Sequence, residues 1–266
     1  MMLLAGMGTV VAQSYDSYLE KGLAAARIDS LSEAERSFKE ALKLEPANSH
    51  NALLFANLGT VQRRMGKRDE AIESYTCALN LAPRSVPVLL NRASLYIENG
   101  NERGALVDYG DVLDMEPSNG EALYFRAYLL TRKRDYKGAR IDYERLVALE
   151  PENSNAALGL AILNQKEGRL NEAAEQMNRL IEKDSLNATL YMARADIEQE
   201  LQQYELALMD LSKAVQIEPK NADAYIARAE VYLQLKQKRK AKQDMESAIE
   251  RGASRASVNE ILKQFK

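Results

Sequence analysis

The sequence is poor in the residues that most often carry chemistry. It has one histidine, one cysteine and no tryptophan. A single cysteine, Cys77, excludes an internal disulfide framework and a cysteine-rich metal site. His50 and Cys77 stand apart, and no nucleophile–base–acid grouping, glycine-rich phosphate loop or metal-ligand spacing occurs. Neither catalysis nor a cofactor or metal is therefore expected. An excess of one charge is also missing: 36 basic residues face 39 acidic ones, a formal charge of −3. Without a basic footprint a nucleic-acid partner is not expected. No apolar run approaches the ~20 residues of a spanning helix, so no membrane span is expected. Proline is scarce too, with six in 266 residues, and its placement is the first positive signal.

Pro83, Pro117 and Pro151 recur at a fixed 34-residue interval, and Pro219 lies two such intervals further on. A period of this size marks stacked units instead of one globular core. The stretch from Glu121 to Pro151 is the clearest copy, and aligning on it gives units 15–48, 52–85, 86–119, 120–153, 154–187, 188–221 and 222–255. Each reads as a helix, a short turn and a second helix. Ala34, Ala71, Ala105, Ala139, Ala173, Ala207 and Ala241 share one register position, where a longer side chain would overpack a close helix crossing. Gly22, Gly59, Ala93, Ala127, Ala161, Ala195 and Ala229 mark the opposing helix. A large residue follows each second-helix alanine four positions on, from Phe38 and Tyr75 to Met245, which keeps both on one helical face. Gly66, Gly100 and Gly168 sit where the first helix should stop, the place for a left-handed capping residue. Proline after the second helix prevents its continuation; the fifth unit has Ser185 there and the seventh Ala253. Val258, Ile261, Leu262 and Phe265 predict one more amphipathic helix over 256–266, covering the end of the core.

These residues resemble the tetratricopeptide repeat. The first unit shows that family's pattern as Tyr18, Gly22, Ala34, Phe38, Ala41 and Pro46. The second shows it as Phe55, Leu58, Gly59, Ala71, Tyr75, Ala78 and Pro83. The resemblance covers nearly the whole chain. It implies an all-α fold, a right-handed superhelical solenoid of seven helix-turn-helix repeats with a C-terminal capping helix. It also implies a concave groove lined by the first helices, which receives an extended peptide or a partner helix. By phase the groove includes Arg27, Asn57, Thr60, Arg63, Arg64, Asn91, Ser94, Tyr124, Tyr128, Arg132 and Lys166, then Asp196, Glu200 and Glu230. The first half is thus basic and the second acidic, with Tyr124 and Tyr128 as an aromatic ledge of the kind that dominates interfaces. Asn57 and Asn91 resemble a fragment of the family's carboxylate clamp, but the first unit has no matching Lys–Asn pair, so a clamp of that kind is not expected.

Four units carry arginine where the family pattern has leucine: Arg92, Arg126, Arg194 and Arg228. The same four carry aspartate sixteen residues later, at Asp108, Asp142, Asp210 and Asp244. Covariation among copies of one repeat predicts an arginine–carboxylate contact between the two helices of a unit.

Leu3 to Ala12 is apolar and ends in small residues before Gln13, resembling the end of a secretory signal peptide, although a positively charged start is missing. A periplasmic or exported protein is expected from it, and otherwise a cytoplasmic one. The two basic clusters, Arg132 to Arg134 with Lys137 and Lys236 to Lys240 with Lys242, read as solvated turns; contact with an anionic membrane surface or nucleic acid is the alternative. Taken together, the expected role is a non-catalytic protein–protein interaction scaffold that binds a protein or peptide partner. An envelope module for cell-wall glycan or another small ligand remains open, as does a homo-oligomeric self-assembly unit.

Overall fold

The computed structural model describes residues 14–264, so the apolar stretch Leu3 to Ala12 and Phe265 lie outside the described residues. Among the described residues there are helices and turns only, fifteen helices in all. They fall into two compact units, one ending at Leu129 and the next starting at Leu130.

In the first unit α1 (Tyr15–Arg27) pairs with α2 (Leu31–Leu44), α3 (Asn51–Arg64) with α4 (Arg68–Leu81), and α5 (Val86–Glu98) with α6 (Glu102–Met115). The division falls within α7 (Gly120–Arg132). The second unit continues with α8 (Tyr136–Leu149), then pairs α9 (Ser154–Lys166) with α10 (Leu170–Lys183) and α11 (Ala188–Glu200) with α12 (Tyr204–Ile217). It ends with α13 (Ala222–Gln234), α14 (Lys238–Glu250) and α15 (Arg255–Gln264). The second helices α2, α4, α8, α10 and α12 also pack on the first helix that follows each of them, so the core there is a ribbon between neighbours.

The crossing of the paired helices follows from small residues. Ala34, Ala71, Ala105, Ala139, Ala173, Ala207 and Ala241 are all fully buried. A Cβ added at Gly22 would stand 2.5 Å from the Phe38 ring, and one at Gly59 would stand 2.9 Å from Tyr75. Those rings fill the space that the missing side chains leave, and both are fully buried.

The turn inside each repeat is a left-handed cap. Gly66 has φ 76°, and the next backbone N–H, that of Lys67, donates to the Gln62 carbonyl at 2.9 Å. The same six-residue closure recurs from Ser30 to Ala25, Asn101 to Tyr96, Asp135 to Leu130, Arg169 to Asn164, Gln203 to Glu198 and Gln237 to Tyr232. Glycine was expected at this place in three repeats. The other four hold Asp29, Arg134, Gln202 and Lys236 in the same left-handed region, at φ 59–63°. At the C-terminal end Val258 is buried against Ala241 and Met245, with Ile261 beside them, so α15 covers the last pair.

Candidate functional site

Within each unit the first helices of successive repeats stand side by side: α1 touches α3, α3 touches α5, and α11 touches α13. In the first unit two adjoining depressions run along this row. One, of about 410 Å³, lies between α1 and α3 and includes Arg27 and Arg64. The other, of about 450 Å³, lies between α3 and α5 and includes Asn91. Asn57 and Thr60 line both, so the depressions meet over α3.

The arginines of this face are already engaged. Arg63 donates to Ser94 Oγ at 2.9 Å and to Glu98 Oε1 at 2.6 Å. Arg64 donates to the Ala26 carbonyl at 2.9 Å and to Asp29 Oδ1 at 2.6 Å. Both therefore tie α3 to a neighbouring repeat, and the face is less basic than its arginine count implies. On α7, the Tyr124 ring meets Phe125 edge-on, and Phe125 stacks on Tyr109 with centroids 5.6 Å apart. Tyr124 is half-buried, whereas Tyr128 is 40% exposed.

In the second unit Asp196 and Glu200 stand on α11 and Glu230 on the adjoining α13. Arg132 and Lys166 are exposed at the ends of α7 and α9. Glu200 accepts a hydrogen bond from Gln165 at 2.6 Å. Crowding on the face and the Glu200 carboxylate push the Asp196 carboxyl up, and Lys166 opposes them. Burial and Asp196 likewise push Glu230 up. Among the described residues no group of three histidine, cysteine or acidic side chains could hold a metal ion, and no helix is long and apolar enough to cross a membrane. Cys77 is a half-buried free thiol and His50 an exposed residue ahead of α3.

Tetratricopeptide repeat models match residues 15–48, 52–85, 90–154, 130–197 and 222–251, and a TPR repeat model matches 195–236. A solved tetratricopeptide repeat protein from Parabacteroides merdae is 35% identical, with a TM-score of 0.77 over 96% of this chain and 99% of that one. This chain belongs to the tetratricopeptide repeat family. YrrB, described as a TPR protein with an unusual peptide-binding site, shares the fold at 19% identity and a TM-score of 0.52, over 72% of this chain and 99% of its own. The photosystem I assembly protein Ycf3 of Rippkaea orientalis is 29% identical over 85 residues, 32% of this chain and 49% of that protein. The chain thus spans about half the length of the curated relatives it matches.

The predicted arginine–aspartate contacts form inside the third, sixth and seventh tetratricopeptide repeats. Arg92 donates from Nε and Nη2 to both oxygens of Asp108 at 2.8 and 2.7 Å. Arg194 with Asp210, and Arg228 with Asp244, repeat the two-pronged geometry. Asp142 is buried like the other three aspartates. In each of the three pairs the remaining Nη1 reaches back to the second helix of the preceding repeat: Arg92 to Thr76, Arg194 to Asn178 and Arg228 to Ser212. Sequence reasoning missed this third contact, although a small polar residue sixteen positions before the arginine was there to find. Where arginine is replaced by leucine, an uncharged pair stands between the helices, with Ser74 donating to Gln62 at 2.6 Å and Asn164 to Gln176 at 2.8 Å.

Proposed function

We propose that this protein is a non-catalytic scaffold that docks an extended peptide segment of a partner protein along the row of first helices. The observation that carries this reading is the pair of depressions meeting over Asn57 and Thr60. Successive first helices supply the same face at regular spacing, which suits a chain laid across them. The Asn57 and Asn91 side-chain amides make no hydrogen bond within the described residues, so their donors and acceptors are open to a peptide backbone. Tyr124 and Tyr128 supply aromatic area for an anchoring side chain. The names of two similar proteins, a photosystem assembly protein and a TPR protein with a peptide-binding site, agree with a role in protein binding.

Affinity capture from native extract tests the reading. The intact protein is compared with an Asn57→Ala, Asn91→Ala variant and with a Tyr124→Ala, Tyr128→Ala variant. A protein retained by the intact chain and lost from both variants is the expected result. Retention of the same proteins by all three would move the interface off this face. Export is a further part of the proposal, supported by the apolar run from Leu3 to Ala12. N-terminal sequencing of protein made in a Gram-negative host checks it, since an intact Met1 contradicts cleavage.

A further inference from the structure

We infer that the fifth repeat carries a second docking site, which takes one aromatic or aliphatic side chain of an acidic partner segment. The site is the place where the arginine clamp of the following two repeats is absent. Of the repeats lying wholly in the second unit, the sixth and seventh hold their helices with Arg194–Asp210 and Arg228–Asp244. The fifth has Leu160 and Gln176 at those two positions. The third anchor has changed as well: the preceding second helix presents Glu144, which accepts from Arg140 at 3.2 Å, instead of a small polar residue. All three positions of the clamp have been exchanged together.

Removing a guanidinium leaves space, and here the space is open. A cavity of about 210 Å³ is walled by Ala157, Leu160 and Leu180. An aliphatic cavity of about 150 Å³ takes up benzene, so this volume accommodates one aromatic ring, while it falls below the ~300 Å³ of drug-sized sites. Its polar lining consists of donors. Gln176 also lines it; its carbonyl accepts from Asn164, which leaves the amide N–H₂ without a hydrogen-bond partner among the described residues. The two charged residues at the cavity, Arg179 and Lys183, are both cations. Their present partners are weak: Arg179 lies 3.7 Å from Glu175, and Lys183 pairs with Glu152, whose side chain is 88% exposed. Water-exposed pairs of this kind exchange at little cost. An apolar wall ringed by cations and an amide donor selects an apolar side chain flanked by carboxylates.

The test is amide NMR titration of the full chain with a short capped peptide of one phenylalanine between glutamates. Saturable shifts confined to the neighbourhood of Ala157, Leu160 and Leu180 are expected. Leu160→Arg with Gln176→Asp refills the cavity with the clamp used by the neighbouring repeats. This variant should melt no lower than the parent yet bind the peptide about tenfold more weakly or worse. Should the double variant fail to fold, Ala157→Leu narrows the same cavity from its wall and should show the same loss. Arg179→Glu with Lys183→Glu should transfer the preference to a lysine-flanked peptide. Three results would overturn the inference: no saturable shift at these residues, undiminished binding by both narrowed variants, or equal affinity of the parent for the lysine-flanked peptide. Shifts at Leu160 produced by raising protein concentration alone would make a second copy the occupant and overturn it too.

Discussion

Arg92 and Asp108 face each other across the third repeat as a two-pronged pair, and Asp108 is only 1% exposed. A buried carboxylate in this setting depends on its guanidinium. Removing one partner of a buried pair costs about 3–5 kcal/mol, whereas replacing both by well-packed uncharged groups is near neutral. The chain itself contains the uncharged alternative in Leu58 with Ser74. Arg92→Leu should therefore destabilise by about 3 kcal/mol in urea unfolding, and adding Asp108→Ser should recover most of that loss. Simple additivity of the two substitutions would show that the contact is energetically empty.

How much of this was legible in the sequence depends on what each feature left behind. The 34-residue period, the alanine crossings and the helix pairs were readable because every copy must solve the same contact with the same residue size. The arginine–aspartate pairs were readable because they covary between copies. The engagement of Arg63 with Glu98 and of Arg64 with Asp29 was not, since these partners lie in neighbouring repeats, outside the pattern of a single repeat. The depressions over Asn57 and Thr60 depend on side-chain volumes from α1 to α5, which no single-repeat pattern records. The cavity at Leu160 was hidden for a related reason, because leucine there matches the family pattern and the space beside it depends on side chains of α8 and α10 as well.

The left-handed cap gives a second prediction. Gln202 holds φ at 60° where three other repeats use glycine. An L-residue in that region carries about 1 kcal/mol of strain, partly offset by the extra unfolded-state entropy of glycine. Gln202→Gly should raise stability by about 0.5 kcal/mol, and a small rise in melting temperature is its readout. A lowered melting temperature would mean that the Gln202 side chain makes a compensating contribution.

Glu35 supplies a pH-dependent prediction on the acid side. Burial alone would raise its carboxyl, but hydrogen bonds from Lys39 and Lys67, each at 2.7 Å, outweigh burial and hold it down at about 2. A depressed carboxyl adds stability above its unfolded value near ~4.3, and that stability is lost as pH falls toward the folded value. Both lysines remain in contact with water, so the contribution is about 1–2 kcal/mol, less than the full shift. Glu35→Gln should show this deficit at pH 7 and approach the parent near pH 2. A constant deficit across that window would place its origin in local contacts instead of charge.

Glu198 titrates in the opposite sense. It is 8% exposed, its Oε2 has no hydrogen-bond partner, and its other oxygen lies 4.0 Å from Arg194 Nε. Burial and the neighbouring Asp210 carboxylate push it up to about 7, with Arg194 opposing. A raised carboxyl costs nothing below its unfolded value near ~4.3, and the cost of ionising it grows until the folded value is passed. The parent should therefore lose about 1–3 kcal/mol of stability between pH 4.3 and 7 from this group and then level off. Glu198→Gln removes the ionisation, and its amide can donate to Asp210 as Asn164 donates to Gln176 in the fifth repeat. The variant should match the parent at pH 4, exceed it at pH 8, and flatten the profile between them. Parallel profiles for the two proteins would mean that Glu198 stays ionised in the fold and that Arg194 serves both carboxylates.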